Sequence, residues 1–161
     1  MTNFRALLEL LTKAQVDFIL IGGGAATAHG SVRLTVDVDV VYKRSPENVA
    51  RLVAALAPLS PYLRGAPPGL PFRLDAETIR HGLNFTLTTS LGSLDLLGEV
   101  TGGGRYEDLL PHTVRIQAFG VECLCLDIEK LIEVKRAAGR PKDFDAIAEL
   151  EALEEERDRQ S

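Results

Sequence analysis

The chain has no tryptophan, one methionine, three histidines and two cysteines among 161 residues, and only 6% of it is aromatic. So few aromatics argue against a nucleic-acid surface built on base stacking. A formal net charge of −5 removes any general attraction to a phosphate backbone. Two cysteines are too few for a structural zinc site. Cys123 and Cys125 alternate with Leu124 and Leu126, so in a strand they share one face and read as buried thiols. No apolar run approaches the ~20 residues that cross a bilayer, and the opening MTNFRALLELLTKAQ carries charges inside an amphipathic helical pattern, unlike the core of a signal peptide. The expectation is a cytoplasmic protein without membrane association. Also missing are the Gly-Lys-Ser or Gly-Lys-Thr of a Walker A loop and the glycine fingerprint of a dinucleotide fold.

What is present is the composition of a globular chain, 45% hydrophobic and 25% charged with 14 glycines and 8 prolines. Its length predicts one domain over residues 1–161, with a charged tail at about 155–161. Phe4, Leu7, Leu8 and Leu11 at helical spacing predict a first helix, and residues 16–21 a buried strand that ends in Gly22, Gly23 and Gly24. A short small-residue helix follows through His29, a lone histidine read as a structural hydrogen-bonding group. Ser45-Pro46 opens a helix that ends near Pro58. Residues 58–82, rich in proline and glycine, read as loop with at most a short strand around Phe72. Residues 83–88 and 93–97 predict one hairpin, and 113–118 with 121–125 a second turning at Phe119-Gly120. Asp127 caps a helix that Gly139 ends, and Pro141 starts a last helix that dissolves into the charged tail. The fold class is α/β (α+β), a small mixed, mostly antiparallel sheet with flanking helices.

The chemistry concentrates in residues 34–42, LTVDVDVVY. Strand alternation puts Thr35, Asp37 and Asp39 on one face and Val36, Val38 and Val40 on the other. Two carboxylates at i and i+2 stand roughly 7 Å apart, a spacing one Mg²⁺ or Mn²⁺ can bridge through hard oxygen ligands. Asp95, in SLDLL, is the natural third carboxylate; it turns either to solvent or into the site. The glycine turn at 22–24 lets backbone N–H groups approach phosphate, although a plain strand-to-helix turn reads the same way. Arg33 either pairs with Asp37 or Asp39 or reaches phosphate. The basic run Lys130, Lys135, Arg136, Arg140, Lys142 has a solvated helix face as its simplest reading, and Asp143 can complement a helix's positive end.

Gly22-Gly23-Gly24, twelve further residues, then Asp37-Val38-Asp39 resembles the glycine pair and Asp-x-Asp of the polymerase-β nucleotidyltransferase superfamily. Within it, GGGAATAHGSVRLTVDVDVV is similar to the Arg-x-Thr-x-Asp-x-Asp form of AbiEii-like toxins and related small nucleotidyltransferases, which places Arg33 and Thr35 in the motif. The stretch KLIEVKRAAGRPKDFDAIAEL resembles that subgroup's closing motifs and carries Lys135, Arg140, Lys142, Asp143 and Asp145 onto family positions. The likeness covers about 20 residues near each end, and Gly24 stands where the superfamily often has serine.

The resemblance implies a nucleotidyltransferase fold. It also implies magnesium-dependent, or manganese-dependent, transfer of a nucleoside monophosphate from a nucleoside triphosphate such as ATP. The acceptor would be a tRNA, a protein or a small molecule, with a role as the toxin of a toxin–antitoxin pair and an antitoxin partner. Asp37, Asp39 and Asp95 would be the catalytic metal ligands. Gly22, Gly23, Gly24, Arg33, Thr35 and Lys135 would bind nucleotide, and Asp143 and Lys142 would support them. The expected site lies along one sheet edge, with any acceptor pocket drawn from the irregular middle. The alternative is a non-catalytic nucleotide-sensing or partner-binding module of the same fold.

Overall fold

Two short apolar strands and the valine face of a third form the middle of the molecule in the computed structural model, which describes residues 1–160. Strand β1 (Phe18–Ile21) is buried along its whole length. Strand β2 (Asp37–Tyr42) buries Val38 and Val40 completely, so Asp37 and Asp39 project from the opposite face. Strand β5 (Gly92–Leu97) repeats the pattern, with Leu94 and Leu96 inside and Asp95 on the other side. Burying each such leucine contributes about 1.5–3 kcal/mol, so a one-residue slip that moved these aspartates into the core would be prohibitive.

The remaining strands are β3 (Tyr62–Leu63), β4 (Asn84–Thr89), β6 (Thr113–Ala118) and β7 (Val121–Leu126). They join one seven-stranded sheet in the order β3-β4-β5-β2-β1-β7-β6. Only β2–β5 and β1–β7 run parallel; the other pairings are antiparallel. The mixed, mostly antiparallel sheet is as expected. The position of the acids is not: β2 and β5 lie inside the sheet, flanked by β1 and β4, so the carboxylates stand over its centre and not along an edge.

Helix α1 (Phe4–Lys13) buries Leu7, Leu8 and Leu11 and is capped by the Asn3 side chain accepting from Ala6 N–H. Helix α2 (Gly22–Ala28) follows β1 without a loop. Helix α3 (Pro46–Leu56) starts at the Ser45 cap with proline in its first turn. Helix α6 (Ile128–Ala138) runs from the Asp127 cap to Gly139 in the left-handed conformation. Both hairpins form, and Cys123 and Cys125 are buried free thiols on one face of β7.

Four expectations need correction. The ladder of β2 begins at Asp37, not Leu34, because β5 has turned away at Gly92 and the Thr2 hydroxyl instead donates to the Val36 carbonyl. No strand forms around Phe72, which packs its ring edge-on against Tyr62. The irregular middle instead contributes β3 and helix α4 (Ala76–His81), capped by Asp75; the short helix α5 (Tyr106–Leu109) lies later. The last helix, α7 (Phe144–Gln160), begins after a 3-10 turn at Pro141–Asp143 and continues through the charged tail as far as Gln160, where Arg159 and Gln160 both pair with Glu156; Ser161 lies outside the described residues. No helix among the described residues is long and apolar enough to cross a membrane.

Candidate active site

The parallel register of β2 and β5 sets Asp39 directly opposite Asp95 and Asp37 opposite Ser93. Adjacent strands lie about 4.8 Å apart, so three carboxylates gather on one face within two residues of one another. Their mutual proximity has a clear electrostatic signature. Burial first, then a hydrogen bond with Asp95 and the charges of Asp95 and Asp37, push the Asp39 carboxyl up to about 8 from its ordinary 3.8, against the pull of Arg64. Burial and the crowding of Asp95 and Asp37 thus favour the protonated form of Asp39.

Arg64 was not foreseen from the sequence. It leaves the end of β3, where its N–H donates to the Thr86 carbonyl at 3.0 Å, and reaches across β4 to the acids. One guanidinium nitrogen lies 2.6 Å from Asp95 Oδ1, and the other lies 3.6 Å from Asp37 Oδ1 while donating to the Leu87 carbonyl at 3.2 Å. A cation thus already sits among the carboxylates. With the acids turned to Arg64 and to each other, no three His, Cys, Asp or Glu side chains among the described residues stand ready to ligate one ion.

The glycines have a packing reason as well as an electrostatic one. A Cβ on Gly22 would lie 2.3 Å from Asp39 Oδ2, and Gly22 has φ +65°, a conformation L side chains rarely adopt. A Cβ on Gly23 would meet Thr35 Oγ1 at 2.5 Å, and one on Gly24 would meet Leu20 at 3.2 Å. Gly22 and Gly23 let the start of α2 lie against Asp39 and Thr35, and Gly24 lets it lie against β1. Gly22→Ala is expected to push Asp39 aside and cost about 2–3 kcal/mol, from backbone strain plus the clash; urea unfolding of the variant measures it. A loss below about 0.5 kcal/mol would contradict this contact.

A cleft of about 450 Å³ is lined by Gly22, Asp39 and Asp95, by Asn84 beside them on the sheet, and by Lys135 and Arg140. Lys135, from α6, is 3.8 Å from Asp143, and Arg140 Nε is 2.7 Å from the other Asp143 oxygen. Asp143 is buried and holds both cations in place, so here it does more than complement a helix end. Arg33 pairs with neither Asp37 nor Asp39 among the described residues; with Thr35, Gly23, Lys135 and Lys142 it lines a smaller cleft of about 160 Å³, and with Thr35 it also borders a larger one beside Asp37. His29 stands apart from the acids, its Nε2 2.9 Å from the Leu126 carbonyl, in the structural role its isolation suggested.

No family model and no curated protein matches the chain. Among solved structures it is similar to TM1012 of Thermotoga maritima, whose assignment as a nucleotidyltransferase is itself provisional, with a TM-score of 0.58 and 13% identity over 91% of this chain and 88% of that one. It is also similar to the lincosamide antibiotic adenylyltransferase LnuA in its lincomycin-bound form, with a TM-score of 0.62 and 15% identity over 93% of this chain and 95% of that one. Likeness at this identity speaks to architecture, and the architecture is consistent: the chain has the nucleotidyltransferase fold.

Proposed function

We propose that the protein is a metal-dependent nucleotidyltransferase that moves a nucleoside monophosphate from a nucleoside triphosphate, ATP first among them, to an acceptor and releases pyrophosphate. The observation that carries this reading is the facing of Asp39 and Asp95 across β2 and β5, with Asp37 beside them and Lys135 and Arg140 across the cleft. The donor chemistry suits a divalent metal once Arg64 turns away: Asp37, Asp39 and Asp95 share one face, and the guanidinium now holds two of them. Asp37 and Asp39 would hold the metals, with Asp95 as the third ligand. Bound there, divalent ions would polarise the phosphoryl oxygens and offset charge on the leaving group.

The chain's own groups have distinct tasks. Lys135 and Arg140, kept in position by Asp143, face the triphosphate and neutralise it. The first N–H groups of α2, which its helical bonds leave free, and Arg33, Thr35 and Lys142 would extend that grip. Asp95 accepts the acceptor's proton. The cytoplasmic site of action, an acceptor that is a tRNA, a protein or a small molecule, and a role as a toxin with an antitoxin partner rest on the sequence reading and the AbiEii-like resemblance.

Labelled NTPs incubated with cell extract test the proposal: label should pass to an acceptor with the native protein and not with Asp39→Asn. Absence of label and of pyrophosphate release with all four NTPs would overturn it. The grip of Arg64 on Asp95 and Asp37 favours one second reading, a nucleotide-sensing module that does no chemistry; its mark is a thermal shift with NTP and no transfer.

A further inference from the structure

A second cleft, of about 760 Å³, opens at the other end of the acid strand, and its wall contains Asp37 alongside Phe4, Phe119, Val32, Leu34 and Val36. The carboxylates therefore stand between two cavities. Asp39 and Asp95 face the one bearing Lys135 and Arg140, and Asp37 faces the apolar one. Resting on the nucleotidyl-transfer reading, which places triphosphate beside the cations, we propose that the apolar cleft is the acceptor site and that it takes a small, hydroxyl-bearing molecule with one apolar face.

Three features of the cleft carry this. Its apolar wall is held in place. Ser31 Oγ donates to Glu149 at 2.5 Å and Val32 N–H donates to the same carboxylate at 3.2 Å, while the Val36 carbonyl accepts from Thr2 at 2.6 Å. The segment between is tied at both ends, yet Leu34 and Val36 keep 92% and 60% of their surface in solvent, and Val32 is exposed with them. Phe4 and Phe119, also in the lining, stack with centroids 4.6 Å apart. A pinned apolar cleft of about 760 Å³ falls in the size range of small-molecule sites.

The lining also selects the chemistry. Valine, leucine and phenylalanine favour an apolar body, and Asp37 at the inner end accepts a hydrogen bond from a hydroxyl. The net charge of −5 disfavours RNA. In the transfer, the acceptor oxygen forms a bond to the α-phosphorus as the bond from that phosphorus to the pyrophosphate oxygen breaks. The electron pair leaves with pyrophosphate, and the hydroxyl proton passes to a carboxylate of the cluster and then to water. The irregular middle supplies none of this wall; it supplies Arg64 instead.

Octyl glucoside below its micellar concentration, an apolar chain on a hydroxylated head, is a suitable probe for amide NMR titration, with ATP and Mg²⁺ titrated separately. The expected result is shifts at residues 32–37 and 119, and probe affinity weakened about tenfold or more in Val32→Asp and Val36→Asp while ATP affinity changes less than about twofold. The exposure of both side chains leaves the fold intact in these variants. No shift at these residues at millimolar probe, or shifts that both variants leave unchanged, would overturn the proposal. So would sedimentation showing a dimer that Val32→Asp splits, which would assign the cleft to a second copy. ATP binding without probe binding removes the acceptor site alone; probe binding without ATP binding removes the nucleotidyl-transfer reading beneath it.

Discussion

Asp39→Asn should make the protein more stable and inactive at once. With its carboxyl pushed up to about 8 in the folded state against an ordinary 3.8, Asp39 keeps a proton on folding that the unfolded chain has lost over that interval. Its folded-state value is raised, so its contribution to stability is complete below about pH 4 and drains away as the pH climbs through 8. Asparagine copies the protonated acid, keeps a donor for Asp95 and has no proton to lose. In metal-free buffer the variant should gain on the order of 2 kcal/mol at pH 8, or about 4–8 °C in Tm for a chain of this size. Its Tm should hold nearly level from pH 5 to pH 8 where the native protein's falls. Nucleotidyl transfer, which would need the ionised carboxylate, should drop by about a thousandfold or more. Calorimetry across that pH range checks the first part and labelled NTP the second; a variant less stable than the native protein at pH 8 would show that Asp39 is not held protonated.

Arg64→Gln should act in the opposite direction on stability and reveal what Arg64 does. Removing the guanidinium leaves Asp37 and Asp95 facing Asp39 without their cation, a loss of about 1–2 kcal/mol in metal-free buffer given that the arginine is part-exposed. The same removal takes away an internal competitor for the carboxylates. Mn²⁺ affinity, followed by electron paramagnetic resonance, should therefore rise about tenfold. Added Mg²⁺ should restore more Tm to the variant than to the native protein. Equal Mn²⁺ affinity in the two proteins would mean that divalent ions and Arg64 do not share a place.

Which parts of this arrangement could be read in advance follows from the range of the interactions. Asp37 and Asp39 announce themselves because a period of two is local, and Asp95 does so because its leucine neighbours must face inward. The same periodicity overshot at Leu34, Thr35 and Val36: alternation carries no mark of where a partner strand stops, and here β5 has already turned at Gly92. Arg64 had no such signal. It follows a two-residue strand whose pairing with β4 spans an irregular stretch, and only the sheet order brings it to the acids. Helix α4 did leave a trace, Asp75 three residues before Thr78, whose N–H it caps, but the surrounding prolines and glycines concealed it. The glycine triplet was legible as a tight turn. That Gly22 makes room for Asp39 required the antiparallel register of β1 on β2, which sets Ile21 opposite Asp39.

The anomalous signal of Mn²⁺ in crystals grown with a non-hydrolysable ATP analogue is the most direct measurement. The account predicts ions at about 2.1 Å from carboxylate oxygens of Asp37 and Asp39, the triphosphate turned toward Lys135, and Arg64 withdrawn from Asp95. Manganese elsewhere on the molecule, with Arg64 still on Asp95 and the nucleotide outside the cleft, would contradict it.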